Sequence, residues 1–169
     1  QVYSALEQSF AEHQHHPVLG NIHSTALSRK AALEQDLRYY YGADWQVAIR
    51  PTPATQTYVE RIQALAQEWP LGLVAHHYTR YLGDLSGGQV LKRITAKAFQ
   101  LPDGNGVAFY EFPEIPDHQQ FKSDYRSKLD GLEIDADLAQ RIVAEANHAF
   151  HLNAELFTEL SPTPAPIGA

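Results

Sequence analysis

The sequence predicts an all-α fold, an irregular helical bundle, and three observations carry that prediction. Apolar residues recur three and four positions apart along most of the chain. Capping residues and prolines divide the chain into stretches of helical length. No stretch alternates strictly enough for a strand: residues 107–112 alternate loosely, but Pro113 and Pro116 follow at once, so an extended connector is expected there. With 169 residues, 44% of them apolar, the chain can bury one core and is too short for two ordinary domains.

Six helical segments follow in order. The first is expected from Gln1 to about His16, with Val2, Leu6 and Phe10 on one face and Pro17 as its stop. It opens without a cap, and the chain contains no Met, so further residues are expected upstream of Gln1. The second runs from about Thr25 to Tyr41, with Leu33, Leu37, Tyr40 and Tyr41 as its apolar side and Gly42 just beyond its end. The third starts at Thr52-Pro53, a cap followed by proline in the first turn, and carries Tyr58, Ile62, Leu65 and Trp69. The fourth, from about Leu71 to Phe99, is followed by a polar loop over residues 101–106. The fifth begins at Asp117 and presents Phe121, Tyr125 and Leu129; the sixth runs from Asp135 to Leu160 with Leu138, Ile142, Ala146, Phe150 and Phe157. The tail, residues 161–169, holds three prolines and is expected to be disordered.

A formal net charge of −7 argues against a general attraction to nucleic acid, so an anionic ligand needs a local basic cluster. The absence of Cys excludes disulfides, thiolate ligands and a cysteine nucleophile. No apolar run has the length of a bilayer-spanning helix.

The fourth helix poses a problem. Tyr78-Thr79-Arg80-Tyr81-Leu82-Gly83-Asp84-Leu85-Ser86-Gly87-Gly88-Gln89 places three glycines in a helical context, each costing roughly 1 kcal/mol against Ala. They could allow close helix packing, end one helix and begin another, or let something flat and bulky lie on bare backbone. At about 100° per residue, Arg80, Gly83, Asp84 and Gly87 fall within one arc of about 100°. The Arg80–Asp84 spacing also fits an ordinary surface ion pair. Spacing alone leaves these alternatives open.

The run from Leu82 to Val90 resembles the signature of haem oxygenases, and so does the preceding Ala75-His76-His77-Tyr78-Thr79-Arg80-Tyr81. Arg29 to Leu37, Phe109 to Phe112, Phe121 to Arg126 and Ala149 to Asn153 fit the same family, with a texture most similar to its soluble cyanobacterial and plastid branch. The resemblance implies a haem oxygenase domain over residues 1–160 with a kinked, glycine-containing distal helix. It implies oxygen-dependent cleavage of haem, at once substrate and cofactor, to biliverdin, carbon monoxide and iron. Gly83 and Gly87 would lie over the haem face, and Asp84 would hold ordered water near the iron, with Arg80 and Tyr3 as network partners. Lys122, Arg126 and Tyr78 would meet the haem propionates, while Phe150 and Asn153 line the pocket wall.

The family's iron-ligating histidine lies on a first helix that nothing here matches. That proximal helix is therefore expected upstream of Gln1, and the metal ligand within this chain is unknown. His13, His15 and His16 read as solvent-facing, and neither His76, His77, His148 nor His151 offers a replacement. Without the upstream segment, weak hemin binding and no histidine-ligated spectrum are expected. The resemblance further implies an electron donor, ferredoxin or a reductase, docking on a basic patch that could include Lys92, Arg93 and Lys97. It implies a location in the cytoplasm or plastid stroma. The rival reading is a catalytically impaired haem- or tetrapyrrole-binding module of the same fold; a more distant one is an unrelated structural helical protein.

Overall fold

A computed structural model describes residues 1–102 and 104–161, and the described residues form helices and turns without a strand. Of the expected tail, residues 161–169, all but Ser161 lie outside them. The main helices are α1 (Val2–Glu12), α2 (Lys30–Tyr41), α3 (Pro53–Glu68), α4 (residues 73–98), α5 (His118–Asp130) and α6 (Ala136–Leu160). Single turns at Leu19–Ile22, Thr25–Leu27, Trp45–Ala48, Pro70–Gly72 and Ala108–Tyr110 lie between them. No helix among the described residues is long and apolar enough to cross a membrane.

Three helix starts follow local chemistry. The Thr52 hydroxyl accepts the Thr55 N–H at 3.3 Å, with Pro53 in the first turn of α3. Asp117 accepts the Gln119 and Gln120 N–H groups, each at 2.9 Å, and Asp135 accepts that of Leu138 at 2.7 Å. Two other boundaries were set from a distance or by histidine. Helix α2 begins at Lys30 rather than Thr25, because Glu7 of α1 accepts the N–H groups of Arg29 (2.6 Å) and Lys30 (3.1 Å). Helix α1 ends at Glu12, not His16. There the His13 ring bonds the Ser9 carbonyl at 2.8 Å, and the His16 ring accepts the Val18 and Leu19 N–H groups. Of the three histidines expected to face solvent, only His15 is exposed; His13 and His16 are half-buried.

The core joins Leu6 and Phe10 of α1 to Tyr58, Ile62 and Leu65 of α3, Leu73, Tyr81 and Leu85 of α4, and Leu152 of α6. Helix α1 packs on α3, while α6 covers α3 and the first turn of α4. The apolar side expected for α2 is partly wrong: Tyr40 and Tyr41 are 44% and 57% exposed, and the buried residue is Asp36. The reason is the segment that α2 faces. Residues 108–110 form a turn, not an extended connector, and Asp36 bonds its backbone.

Helix α4 is continuous through its glycines. Gly83 has helical backbone angles, φ −61° and ψ −49°. The irregularity lies just before it, as a π-helical turn at Tyr78–Leu82. One extra residue in a turn rotates all that follows by about 100° about the helix axis. The irregularity of this helix is thus seated just upstream of Gly83.

Candidate functional site

A cleft of about 430 Å³ runs between α4 and α6 and is bounded at one side by the 108–110 turn. Thr79, Arg80, Gly83, Asp84 and Gly88 form its α4 wall, with Leu91 further along; Phe150, Asn153 and Phe157 form the α6 wall. Phe150 and Phe157, counted as apolar core positions in the sequence pattern, are 57% and 66% exposed. The helix they belong to buries Glu145, Ala149 and Leu152 instead, which turns these rings towards the cleft.

The three glycines of α4 do not share a purpose. A methyl group on Gly83 or on Gly87 would meet nothing within 4 Å, so neither glycine serves close packing. Gly88 is buried, and a methyl there would sit 3.3 Å from the Tyr110 ring, so it does admit a neighbour. Gly83 and Gly87 are four apart and both exposed, leaving one turn of bare backbone, of which Gly83 lines the cleft and Gly87 lies beyond its lining. That is the geometry a flat, bulky ligand can use and a side chain would obstruct.

Beside this strip the polar groups are ordered. The Tyr3 hydroxyl of α1 donates to the Asp84 carboxylate. Arg80 donates to the Asn153 side-chain oxygen, and its guanidinium carbon lies 4.6 Å from the centre of the Tyr3 ring. The simple Arg80–Asp84 ion pair does not form among the described residues: Arg80 bonds Asn153, and Asp84 accepts from Tyr3. Tyr3 stands between them. Burial raises the Asp84 carboxyl above its ordinary value, against the Tyr3 hydrogen bond and the charges of Arg80 and Arg29. Burial also pushes the Tyr3 phenol well up, so it stays a donor. Two polar atoms here are buried with no protein partner, the Arg80 Nε and the Tyr58 hydroxyl, and the Tyr58 ring centre lies 5.9 Å from the Arg80 guanidinium. Unpaired buried groups of this kind bind ordered water.

The remaining expected site residues are placed less tightly. Lys122 of α5 reaches the Ser86 hydroxyl at 3.2 Å, which brings its charge to the α4 glycine strip. Arg126 is exposed one turn further along α5, and Tyr78 is half-buried with its ring 6.5 Å from that of Tyr125. Lys92 is paired with Glu111 at 2.8 Å, so of the three proposed patch residues only Arg93 and Lys97 are exposed.

None of the residues lining the cleft is a histidine, and no cluster of three or more metal-ligating side chains occurs among the described residues. His76 and His77 belong to the core. His76 meets Glu145 at 2.9 Å, and Glu145 is also held by Arg61. Burial works against the Glu145 charge, but the bonds from His76 and Arg61 hold its carboxyl down to about 2. Burial lowers His76, so it stays neutral and donates. His77 bonds the Tyr125 hydroxyl at 2.7 Å, and burial lowers it to about 3. His148 and His151 are exposed.

Sequence reasoning missed three participants: Ser86, inside the motif, and Phe109 and Tyr110, quoted only for resemblance; Tyr58, expected on the apolar face of its helix, is in the core. Ser86 had a readable signal, since it lies between Asp84 and Gly87. The others owe their places to contacts across 21 or more residues, such as the bond from Gln89 to the Tyr110 carbonyl at 2.7 Å.

The family model described as Heme oxygenase matches residues 1–159. The chain is 52% identical over 159 residues to Heme oxygenase 1 of Nostoc sp., covering 94% of this chain and 67% of that protein. It is similar to the crystal structure of heme oxygenase-1 from Synechocystis sp. in complex with heme. That match has a TM-score of 0.91 and 50% identity, over 95% of this chain and 72% of that one. Heme oxygenase-2 from the same organism, in complex with heme and NO, matches with a TM-score of 0.91 and 47% identity, over 94% and 66%. The chain spans about two thirds of the length of the curated relatives it matches.

Proposed function

The chain belongs to the haem oxygenase family, and from that premise we propose that it takes part in the oxygen-dependent opening of haem to biliverdin, carbon monoxide and iron. The single observation that carries the reading is the open backbone strip at Gly83 and Gly87 beside a carboxylate held by a buried phenol. The site fits haem in shape and chemistry. The bare strip accepts a flat face, Phe150 and Phe157 supply apolar walls, and Lys122 and Arg126 supply charge for two carboxylates.

When bound, haem supplies both the iron at which oxygen is activated and the ring that is cleaved. The chain's own residues supply the rest. Tyr3 fixes one oxygen of Asp84 and leaves the other to hold water at the glycine strip. Its raised affinity for a proton lets Asp84 hold one more readily than a solvated carboxylate would. Arg80, tethered to Asn153, keeps a charge and an unpaired N–H on the same water. Phe150, Phe157 and Leu91 line the rest of the cleft with exposed hydrocarbon that a bound flat ring would cover.

The electron donor in this reading is a small acidic carrier of the ferredoxin type or a reductase, meeting Arg93 and Lys97 on the exposed side of α4. Reversing both to Glu should slow reduction and leave hemin affinity unchanged; unaltered reduction would reject the patch. In this reading the described residues lining the cleft supply no histidine to ligate the iron. Hemin titrated into the chain alone should give a weak complex without a histidine-ligated Soret band, and added imidazole should strengthen it. With imidazole, reductant and oxygen, the ring should open to biliverdin, and Asp84→Ala should cut turnover about tenfold or more. Hemin that binds and is reduced, yet keeps its ring intact, would favour a binding module instead.

A further inference from the structure

Asp36 lies on α2, is 8% exposed and plays no part in the cleft described above. Its two oxygens accept the N–H groups of Ala108 and Phe109, each at 2.8 Å. These are the first donors of the 108–110 turn, whose own N-terminal residue Val107 offers no side-chain cap. Arg29, 4% exposed, donates to the carbonyls of Phe109 (3.0 Å) and Glu111 and stacks on Phe112 at 3.7 Å. Gln89 of α4 takes the Tyr110 carbonyl. A three-residue turn has little stability of its own. Its orientation is therefore set by these side chains, and Asp36 provides the only side-chain acceptors for its leading N–H groups among the described residues.

The turn matters because of what it carries. The edge of Phe109 meets the Tyr3 ring at 5.5 Å and 67°. Tyr81, at 5.7 Å, and the Arg80 guanidinium form the other sides of the same cage. The phenol so held is the donor to Asp84. We propose that Asp36 is a positioning residue for the Asp84 carboxylate: by gripping the 108–110 turn it seats Phe109 against Tyr3 and fixes the phenol in its bond to Asp84. The influence is geometric. The groups that act on the Asp84 carboxyl are its burial, Tyr3, Arg80 and Arg29; the Asp36 charge is not among them.

The proposal rests on the reading of Asp84 as the acid that organises water. Its test reads the Asp84 proton rather than turnover, so either can fail while the other stands. The Asp84 carboxyl is titrated by carbon NMR in the ligand-free chain. Tyr3→Phe removes a bond to the charged form and should raise the Asp84 pKa. Asp36→Asn should raise it in the same direction by at least half that shift, and Phe109→Leu, which keeps the grip but removes the ring, should do likewise. The double variant Asp36→Asn/Tyr3→Phe should shift no further than Tyr3→Phe alone. An unmoved Asp84 titration in Asp36→Asn and Phe109→Leu, or additive shifts in the double variant, overturns the proposal. If Asp36→Asn does not fold, Phe109→Leu decides it alone.

Discussion

The two parts of α4 are built to opposite rules. From Leu73 to Leu82 the helix buries Leu73, Val74, Ala75, His76, His77, Tyr81 and Leu82, packed against α1, α3 and α6. From Gly83 to Ala98 it buries only Leu85 and Gly88, and exposes Val90, Leu91 and Ile94. The π-helical turn separates the two. One helix thus anchors itself in the core and then presents backbone and apolar side chains to a cleft. The first part buries polar side chains, leaving the His76 Nδ1 and the Arg80 Nε without protein partners; the second leaves Gly83 and Gly87 open and packs only Gly88, against Tyr110.

The sharpest way to test the packed part is acid. His77 has a folded-state pKa of about 3 against an ordinary 6.5, so the unfolded chain takes up a proton that the folded one refuses. Its contribution is fully present above about 6.5 and is lost as pH falls towards 3. By about 1.4 kcal/mol per unit, the loss is on the order of 5 kcal/mol. Urea midpoints measured from pH 7 down to pH 4 should fall steadily, and His77→Gln should flatten that slope. Next in size is Glu145→Ala, which strands His76 and Arg61 and should cost about 3 kcal/mol or more in urea unfolding. A cost below about 1 kcal/mol would mean that the buried triad is loosely held.

Glycine substitutions bear on the comparison directly. Gly72→Ala would drive a methyl to 2.7 Å from Leu65 and Trp69 and should destabilise by about 1–3 kcal/mol. Gly83→Ala and Gly87→Ala should instead stabilise by about 1 kcal/mol each, since a methyl meets nothing there and Ala is the better helix former. Gly87→Leu should keep that stability and weaken hemin binding tenfold or more. Loss of stability at Gly83 or Gly87 would erase the distinction between the two parts of the helix. The smallest effect is expected from Lys122→Ala and Arg126→Ala. Each should weaken hemin binding severalfold, about 1 kcal/mol, and the loss should shrink at high salt.

Much of the site was legible before any coordinates. Asp84, Gly83 and Gly87 stand together in one motif, and the Thr52, Asp117 and Asp135 caps sit where local chemistry puts them. The misses share a cause. Glu7 caps a helix 22 residues away, and Asp36 caps a turn 72 residues away, so neither leaves a local signature. Arg80 and Asp84 have the spacing of an ion pair, but each bonds a residue 73 or more positions away instead, Asn153 and Tyr3.

The sequence by itself determined the helical periodicity, most helix starts and the glycine-acid motif, because those depend on neighbours within a turn or two along the chain. Tertiary structure decided which glycines face open space, where the long helix changes phase, and which side chains hold Tyr3 against Asp84. Those outcomes depend on groups far apart in the chain that meet only after the core has closed, and burial then sets both their hydrogen bonds and their affinity for protons.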